Sequence, residues 1–359
     1  MSDEEWRDEV SWDKELLEKI KKSKNNLDLT QEYLKELHFD EIKNKTTWEK
    51  ISLYDCVKLC DRLSIFSQQT SLRSLELNFS ALTDDDLSDL SPTSSKNLEH
   101  LGLGNNKVTG TGFKYFPNSK MTSLDLQRTL ISDAGVNEMC KSFPNLKTLI
   151  MWSYSCIHIF QDFTQASIEK ISNLQFLETL EIADFNILDF TPLIRLQNLK
   201  SLSIIVEDQC HKGCDGCGKK AHVNSPLGQV KFPVLNKLEN LMISSKYLKS
   251  TDCKIFEKFT SLTTVEFGIK TNADFTKLPK LSSLNLGRKL TDEDIKSTIS
   301  KLTGLTTLDL RCNYKLTNNI FESLLGLPNL VGLNINNTNV TDRGIEKFQK
   351  SKPSLEIFH

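Results

Sequence analysis

The chain has 359 residues, and its 45 Lys and Arg against 47 Asp and Glu leave a net charge of −2, so it carries no basic footprint for nucleic acid or anionic lipid. Apolar residues at 38% and aromatic residues at 8% exclude wholesale disorder and supply a continuous core. The opening MSDEEWRDEV is acidic where a targeting segment is basic, and no apolar run reaches a membrane span; the expected location is cytoplasmic or nuclear, with neither membrane nor nucleic acid as partner.

The first predicted element is a helical cap over residues 1–24. Trp6, Val10, Leu17 and Ile20 share one helical face, Trp12 and Leu16 widen it, acids crowd the start, and Lys19, Lys21 and Lys22 close the end. Such a helix covers the open end of a stacked array. Its alternative use is partner binding, with Trp6 and Trp12 as anchors.

From residue 25 to 359 one pattern, L-x-x-L-x-L, recurs as LRSLEL, NLEHLGL, NLKTLIM, FLETLEI, NLKSLSI, KLENLMI, KLSSLNL, GLTTLDL and NLVGLNI. Its second leucine marks Ile51, Leu75, Leu101, Leu124, Leu149, Leu180, Leu202, Leu241, Val265, Leu284, Leu308 and Leu333. The intervals run from 22 to 26 residues apart from three of 31, 39 and 19. Leu27 extends the series one coil upstream, and SLEIFH begins a further strand. About a dozen coils, each one short strand plus one return segment, are predicted as a single array.

The returns ALTDDDL, KVTGTGF, LISDAGV, KLTDEDI and NVTDRGI set Thr or Ser before an apolar, helix-period stretch, which predicts a hydroxyl N-cap in each. Cys56, Asn106, Thr129, Asn313 and Thr338 hold the position where the coil bends, and each side chain is small enough to bond the local backbone. The segments LDLQRTLISDAGV and LNINNTNVTDRGI resemble the cysteine-containing subclass of leucine-rich repeats. NILDFTPLIRLQNLKSLSI, with Pro192 and Leu193, resembles a shorter subclass with a Pro-Leu return. The resemblance implies an α/β fold: one curved horseshoe solenoid, parallel strands on the concave face, helices or irregular returns on the convex face, and an N-terminal helical cap. Thr-Asp-x-Gly repeats of this kind also resemble those of F-box proteins, and Leu29, Glu32, Leu34 and Leu37 faintly resemble the opening of an F-box, with Thr30 in place of the usual proline.

The interval of 39 residues holds an inserted Cys/His-rich loop at 207–234. Nine cysteines, odd in number and irregularly spaced, suit a reducing compartment rather than a disulfide framework. Cys210, Cys214, Cys217 and His222 offer three thiolates and one imidazole, the ligand set of a closed, structural zinc site. The alternative is a glycine-rich loop that binds nothing. GCDGCGKK matches part of a phosphate-binding loop, but Lys220 stands where magnesium needs a hydroxyl and Pro226 breaks the helix that should follow. No Ser-His-Asp or Cys-His set can be assembled by motif, so catalysis is not expected.

Binding is the expected activity. The residues flanking the last leucine of each unit face outward on the concave side. Among them Ile150, Trp152, Ile205 and Met242, with the neighbouring Tyr154, form the apolar cluster of an otherwise polar face; its alternative is a locally enlarged core. Glu76, Asp125, Glu181, Glu266 and Asp309 form an acidic line suited to a basic partner surface, or simply a solvated face. These features predict a non-enzymatic scaffold or adaptor that grips a protein partner through the concave face and the adjacent loop. The alternative is the substrate-recognition subunit of a cullin-type ubiquitin ligase, with its adaptor as partner. Protein purified without added zinc is expected to return about one equivalent by metal analysis, and far less than that removes the zinc assignment.

Overall fold

The computed structural model describes residues 3–56, 59–60, 62–90, 96–151, 163–183, 187, 189–206, 231–245, 252–268, 273–287 and 289–359, with the backbone alone at 3–11, 183, 205–206, 245 and 252. The chain packs as two compact units, Met1–Leu177 and Glu178–His359. Unit 1 carries helix α1 (Asp3–Lys22), strands β1 (Asn26–Thr30) and β2 (Lys50–Tyr54) with helix α2 (Glu36–Asn44) between them, and β3 (Ser74–Glu76), β4 (His100–Gly102), β5 (Ser123–Asp125) and β6 (Thr148–Met151). Helix α3 (Asp133–Ser142) joins β5 to β6, and α4 (Gln165–Ile171) follows β6. Unit 2 carries β7 (Thr179–Ala183), β8 (Ser201–Val206), β9 (Asn240–Ser245), β10 (Thr264–Phe267), β11 (Ser283–Leu286), β12 (Thr307–Asp309), β13 (Gly332–Asn334) and β14 (Glu356–Phe358). Three helices return among its last coils: α5 (Asp292–Ser297), α6 (Ile320–Leu325) and α7 (Asp342–Ser351).

Within each unit every strand pairs in parallel with the next, and the register is set by the predicted marker residues. Leu27 faces Ile51, then Leu75, Leu101, Leu124 and Leu149 follow strand by strand. In unit 2 the sequence Leu180, Leu202, Leu241, Val265, Leu284, Leu308, Leu333 and Ile357 does the same. A slip of one residue would turn every one of these side chains from core to solvent, and each is buried except Ile357 on the last strand. Burying one such leucine contributes roughly 2 kcal/mol, so the repeat itself fixes the pairing.

At the ends of β1 to β5, β12 and β13 the chain turns sharply through a non-glycine residue at positive φ: Gln31, Asp55, Phe79, Asn105 and Arg128 in unit 1, Cys312 and Asn337 in unit 2, all with φ between 53° and 62°. The small residue that follows ties down the backbone polar groups the turn exposes. Asn106 is buried, accepts at Oδ1 from the amides of Ser80 and Leu82, and donates from Nδ2 to Leu77 O and Leu103 O. Asn313 accepts from Leu290 N and donates to Leu310 O. Thr129, Thr338 and Cys56 donate to Leu126 O, Ile335 O and Leu29 O.

The returns divide into two kinds. Ser132, Thr291 and Thr341 cap α3, α5 and α7 by accepting from Gly135 N, Asp294 N and Gly344 N, as their sequences predict. In LISDAGV and KLTDEDI the following acid reaches onto the next coil: Asp133 takes Thr164 N and Oγ1, and Asp292 takes Thr317 N and Oγ1. KVTGTGF departs from the expectation. Its return is a single 3₁₀ stretch, Thr111–Tyr115, preceded by Gly110 at φ 92°, and Thr109 is not its cap. Asp84 of the previous coil holds Thr109 N, Thr109 Oγ1, Gly110 N and Gly112 N, which fixes the turn before a helix could start. The return of ALTDDDL is likewise 3₁₀, over Asp86–Asp89. The interval of 19 residues leaves room only for the 3₁₀ turn Phe275–Lys277, and Pro192 and Leu193 sit in another at Thr191–Arg195.

Phenylalanines fill the space behind the strands. Phe113, Phe116 and Phe143 interlock in unit 1, and Phe190, Phe232, Phe256, Phe267 and Phe275 form a chain of ring contacts in unit 2. At the N-terminus the helix buries Leu16 and Ile20, while Leu17 is half-buried and Trp12 is 68% exposed. The predicted widening of the buried face by Trp12 is therefore corrected: position 12 lies on the same helical stripe one turn ahead of Leu16, but the covered part of that stripe begins at Leu16. Asn106→Ala leaves four buried backbone groups without partners and is expected to lower unfolding stability by about 3–5 kcal/mol in urea, against about 1 kcal/mol for Thr129→Ala, which removes one bond.

Candidate protein-binding surface

The alternation that buries Leu75, Leu101 and Leu124 turns the residues on either side of them outward, onto one face of β3, β4 and β5. Gly102 has no side chain on this face, and the Glu76 carboxylate leans across it: a Cβ at Gly102 would lie 1.7 Å from Glu76 Oε2. His100 stands between its neighbours, with Nδ1 2.8 Å from Ser123 Oγ and Nε2 in contact with Glu76 Oε1. Asn78 donates to Glu76 Oε2 at 3.0 Å. On the far side Asp125 accepts from Gln127 N and Gln127 Nε2 at 2.9 and 2.8 Å.

This surface is electrostatically incomplete. Burial pushes the Asp125 carboxyl above its ordinary range; the Gln127 bonds pull it back, the Glu76 charge pushes it up again, and His100 offsets it in part. A carboxylate desolvated in this way is stabilised by any cation brought to the face. Beside it, at the C-terminal ends of the strands, Tyr54 and Phe79 pack with ring centroids 4.9 Å apart, and Phe79 is 39% exposed at φ 60°. A bulky residue in the left-handed region costs of order 1 kcal/mol, and this one spends it holding an aromatic ring in solvent.

Ser123, His100 and Glu76 thus form a hydrogen-bonded serine–histidine–carboxylate chain on three successive strands, which no motif in the sequence announces. Its surroundings are those of a sheet rather than of an acyl-transfer site. The amide of Ser123 is committed to Glu99 O, and those of Lys147 and Thr148 to Thr122 O, so none of these faces an oxyanion position beside Oγ.

The predicted site residues fall into groups. Asp125 and Ile150 are register partners on β5 and β6, both half-buried. In unit 2, Glu181 on β7 faces Ser203, which faces Met242, and Ser203 Oγ donates to Met242 Sδ at 3.4 Å; Ile205 lies two residues further along β8. Trp152 and Tyr154, and the proposed zinc ligands Cys210, Cys214, Cys217 and His222, lie outside the described residues. The acidic line is weaker in unit 2: Asp309 is paired with Arg311 at 3.0 Å, and burial raises Glu266 while Arg311 lowers it. His100 and Ser123 were missed because only the residues flanking the last leucine were taken as outward, whereas the position before each marker leucine lies on the same face; Tyr54 was missed because the outward ladder was begun one coil later, at Glu76, and Phe79 because it belongs to the turn after the strand. Among the described thiols, burial pushes Cys56 up to about 11 and Cys140 up to about 12, which keeps both protonated and inert.

Parallel strands of three to six residues, one per coil and in register on a leucine ladder, define the α/β leucine-rich repeat fold in each unit. Comparison with solved structures agrees: the chain is similar to an internalin from Listeria monocytogenes (TM-score 0.58, 20% identity, covering 96% of this chain and 94% of that one). It also matches a leucine-rich repeat protein of Leptospira interrogans at a TM-score of 0.40 and 16% identity, over 96% of this chain and 98% of that one. No protein-family model matches the chain, and no curated protein does. Among the described residues no helix is long and apolar enough to cross a membrane.

Two glycine substitutions test the geometry of the surface. Gly102→Ala meets side chains alone, the Glu76 carboxylate and then Asn78 Oδ1 at 3.3 Å, so it is expected to change stability by less than about 1 kcal/mol while displacing the carboxylate from His100, read as a shift of the imidazole NMR signals. Gly135→Ala meets the backbone carbonyl of Thr109 at 1.9 Å and is expected to cost about 2–4 kcal/mol. Equal losses from the two would mean that Glu76 is rigidly built into the fold.

Proposed function

We propose that the protein is a non-enzymatic interaction scaffold whose outward strand face in unit 1 binds a protein partner through basic side chains. The observation that supports this reading is the desolvated Asp125 carboxyl on the same face as Glu76, together with the exposed Phe79 ring packed on the half-buried Tyr54. Acidic groups short of a cation select a Lys or Arg of the partner, and the aromatic pair gives it an apolar anchor. The repeat architecture favours the same use, since a solenoid presents an extended, rigid face. In the fuller reading Ile150, Trp152 and the Cys/His segment with its zinc extend the grip on the same partner, in the cytoplasm or nucleus; this extension rests on the sequence pattern.

The cullin-ligase reading gains nothing from the described coil. Leu29 lies in β1 and Leu34 is buried ahead of α2, so the stretch that resembles an F-box opening builds the first strand–helix–strand coil, paired Leu29 to Leu53.

The test is affinity purification of the tagged protein from its own cells, comparing wild type with Asp125→Lys and Phe79→Ala. Loss of the same partner in both, at unchanged Tm, is expected; retention in both removes this face from the function. Binding also carries a pH signature. A partner cation lowers the raised carboxyl of Asp125, so affinity is full where Asp125 is ionised in the free protein and falls as pH drops through its raised folded-state value, a loss that binding curves across that range check and that Asp125→Asn removes.

A further inference from the structure

The opposite edge of the unit 1 sheet, at the N-terminal ends of the strands, has the reverse chemistry. A cleft of about 520 Å³ lies there, lined by Glu99, Lys120, Thr122, Asn145, Lys147 and Phe176 together with Ser119. Glu99, Thr122 and Lys147 are the residues immediately before β4, β5 and β6, and backbone bonds from Thr122 N to Glu99 O and from Lys147 N to Thr122 O hold them in step. Lys147 has no ion-pair partner among the described residues. Among the described residues Lys120 has only the neutral Asn97 Oδ1, at 2.6 Å. The acid of the cleft, Glu99, is already paired with Arg73. Phe176 stands at the margin with 52% of its surface exposed. Two unneutralised ammonium groups, neighbouring hydroxyls and an amide, and an exposed ring therefore meet in one concavity.

The edge is built the same way in unit 2. Lys200, Glu239 and Thr263 precede β8, β9 and β10, and with Lys237, Ser261 and Lys280 they line a smaller cleft of about 210 Å³. Lys200 is paired with Glu178 there and Glu239 sets a second acid against Lys237 and Lys280, whereas the one acid of the unit 1 cleft, Glu99, is taken up by Arg73, so the larger cleft is the more cationic of the two.

We propose that the unit 1 cleft is a second protein-docking site that takes an extended acidic segment of a partner, with carboxylates on Lys120 and Lys147 and an apolar side chain on Phe176. Charge complementarity selects the occupant, because the strand edge is the cationic part of a face that is otherwise acidic. An acidic segment is repelled from Glu76 and Asp125 and drawn to this edge, so the two ends of the same strands recognise partner surfaces of opposite sign. The site is independent of the basic-partner reading above: either can fail without the other.

The test uses the full chain and a fluorescein-labelled peptide of about eight alternating Glu and Leu residues, long enough to span several strand spacings, with its Gln-Leu counterpart as reference, read by anisotropy at about 50 mM salt. The Glu peptide is expected to bind and the Gln peptide to bind about tenfold more weakly. Lys147→Glu should weaken the Glu peptide about tenfold and Phe176→Ala about threefold, while Lys107→Glu, exposed beyond the far end of β4, leaves it within about twofold. Thermal melts confirm that each variant is folded. Equal weakening by Lys147→Glu and Lys107→Glu, equal binding of the two peptides, or no binding of the Glu peptide overturns the proposal.

Discussion

The structure depends on how a chain that pairs strands of three to six residues in parallel satisfies its backbone where each strand ends. A strand this short cannot fade into a long loop, and the next coil must begin within a few residues, so the carbonyls and amides at the bend are buried with no strand to bond them. The small polar residue after the left-handed turn answers that need. Asn106 does it most completely, bonding backbone of its own coil and of the one before it. Thr129, Thr338 and Cys56 do it with a single donor. Once the bend is fixed, the leucine ladder falls into register and the outward positions are placed strand over strand.

The outward face follows from that placement. Glu76, His100 and Ser123 meet because they occupy adjacent outward positions on three strands, although 23 and 24 residues separate them along the chain. The same stacking brings like charges together at one end of the strands, where Glu76 raises Asp125, and spare lysines together at the other. A repeat therefore makes charge patterns that a single globule would have to assemble from unrelated loops, and the polarity of the face runs along the strands rather than across them.

Strand positions and register were legible in the sequence because one residue in each coil, the second leucine, carries both the spacing and the inward direction. The bend chemistry was legible too, since Asn, Thr and Cys at a fixed offset have few other uses there. The type of return was less so. KVTGTGF and LISDAGV look alike as strings, yet one is 3₁₀ and the other α-helical; the 3₁₀ return starts from Gly110 at φ 92°, with its amide held by Asp84 of the preceding coil. The surface was half legible. Asp125 and Glu76 could be placed outward from the pattern, but the pairing of His100 with both neighbours and the approach of Tyr54 to Phe79 depend on side-chain directions that only the stacked coils define. The ring of Trp12 shows the converse limit, where helical spacing put it on the buried stripe and the covered part of that stripe, beginning at Leu16, left it in solvent.

The aspartates after the strands are used in two ways with unequal mechanical consequences. Asp84, Asp133 and Asp292 each reach across to the threonine of the following coil, whereas Asp189 and Asp274 bond Thr191 and Thr276 two residues along their own chain. The first kind is a rivet between layers; the second stiffens the turn it belongs to, with a longer ion pair at 3.7 Å from Asp189 to Lys231 of the next coil. In a stack held by nearest-neighbour terms, peeling under load proceeds in larger steps where layers are riveted and layer by layer where they are not. The coils joined at Asp84–Thr109, Asp133–Thr164 and Asp292–Thr317 are thus expected to part in pairs rather than singly.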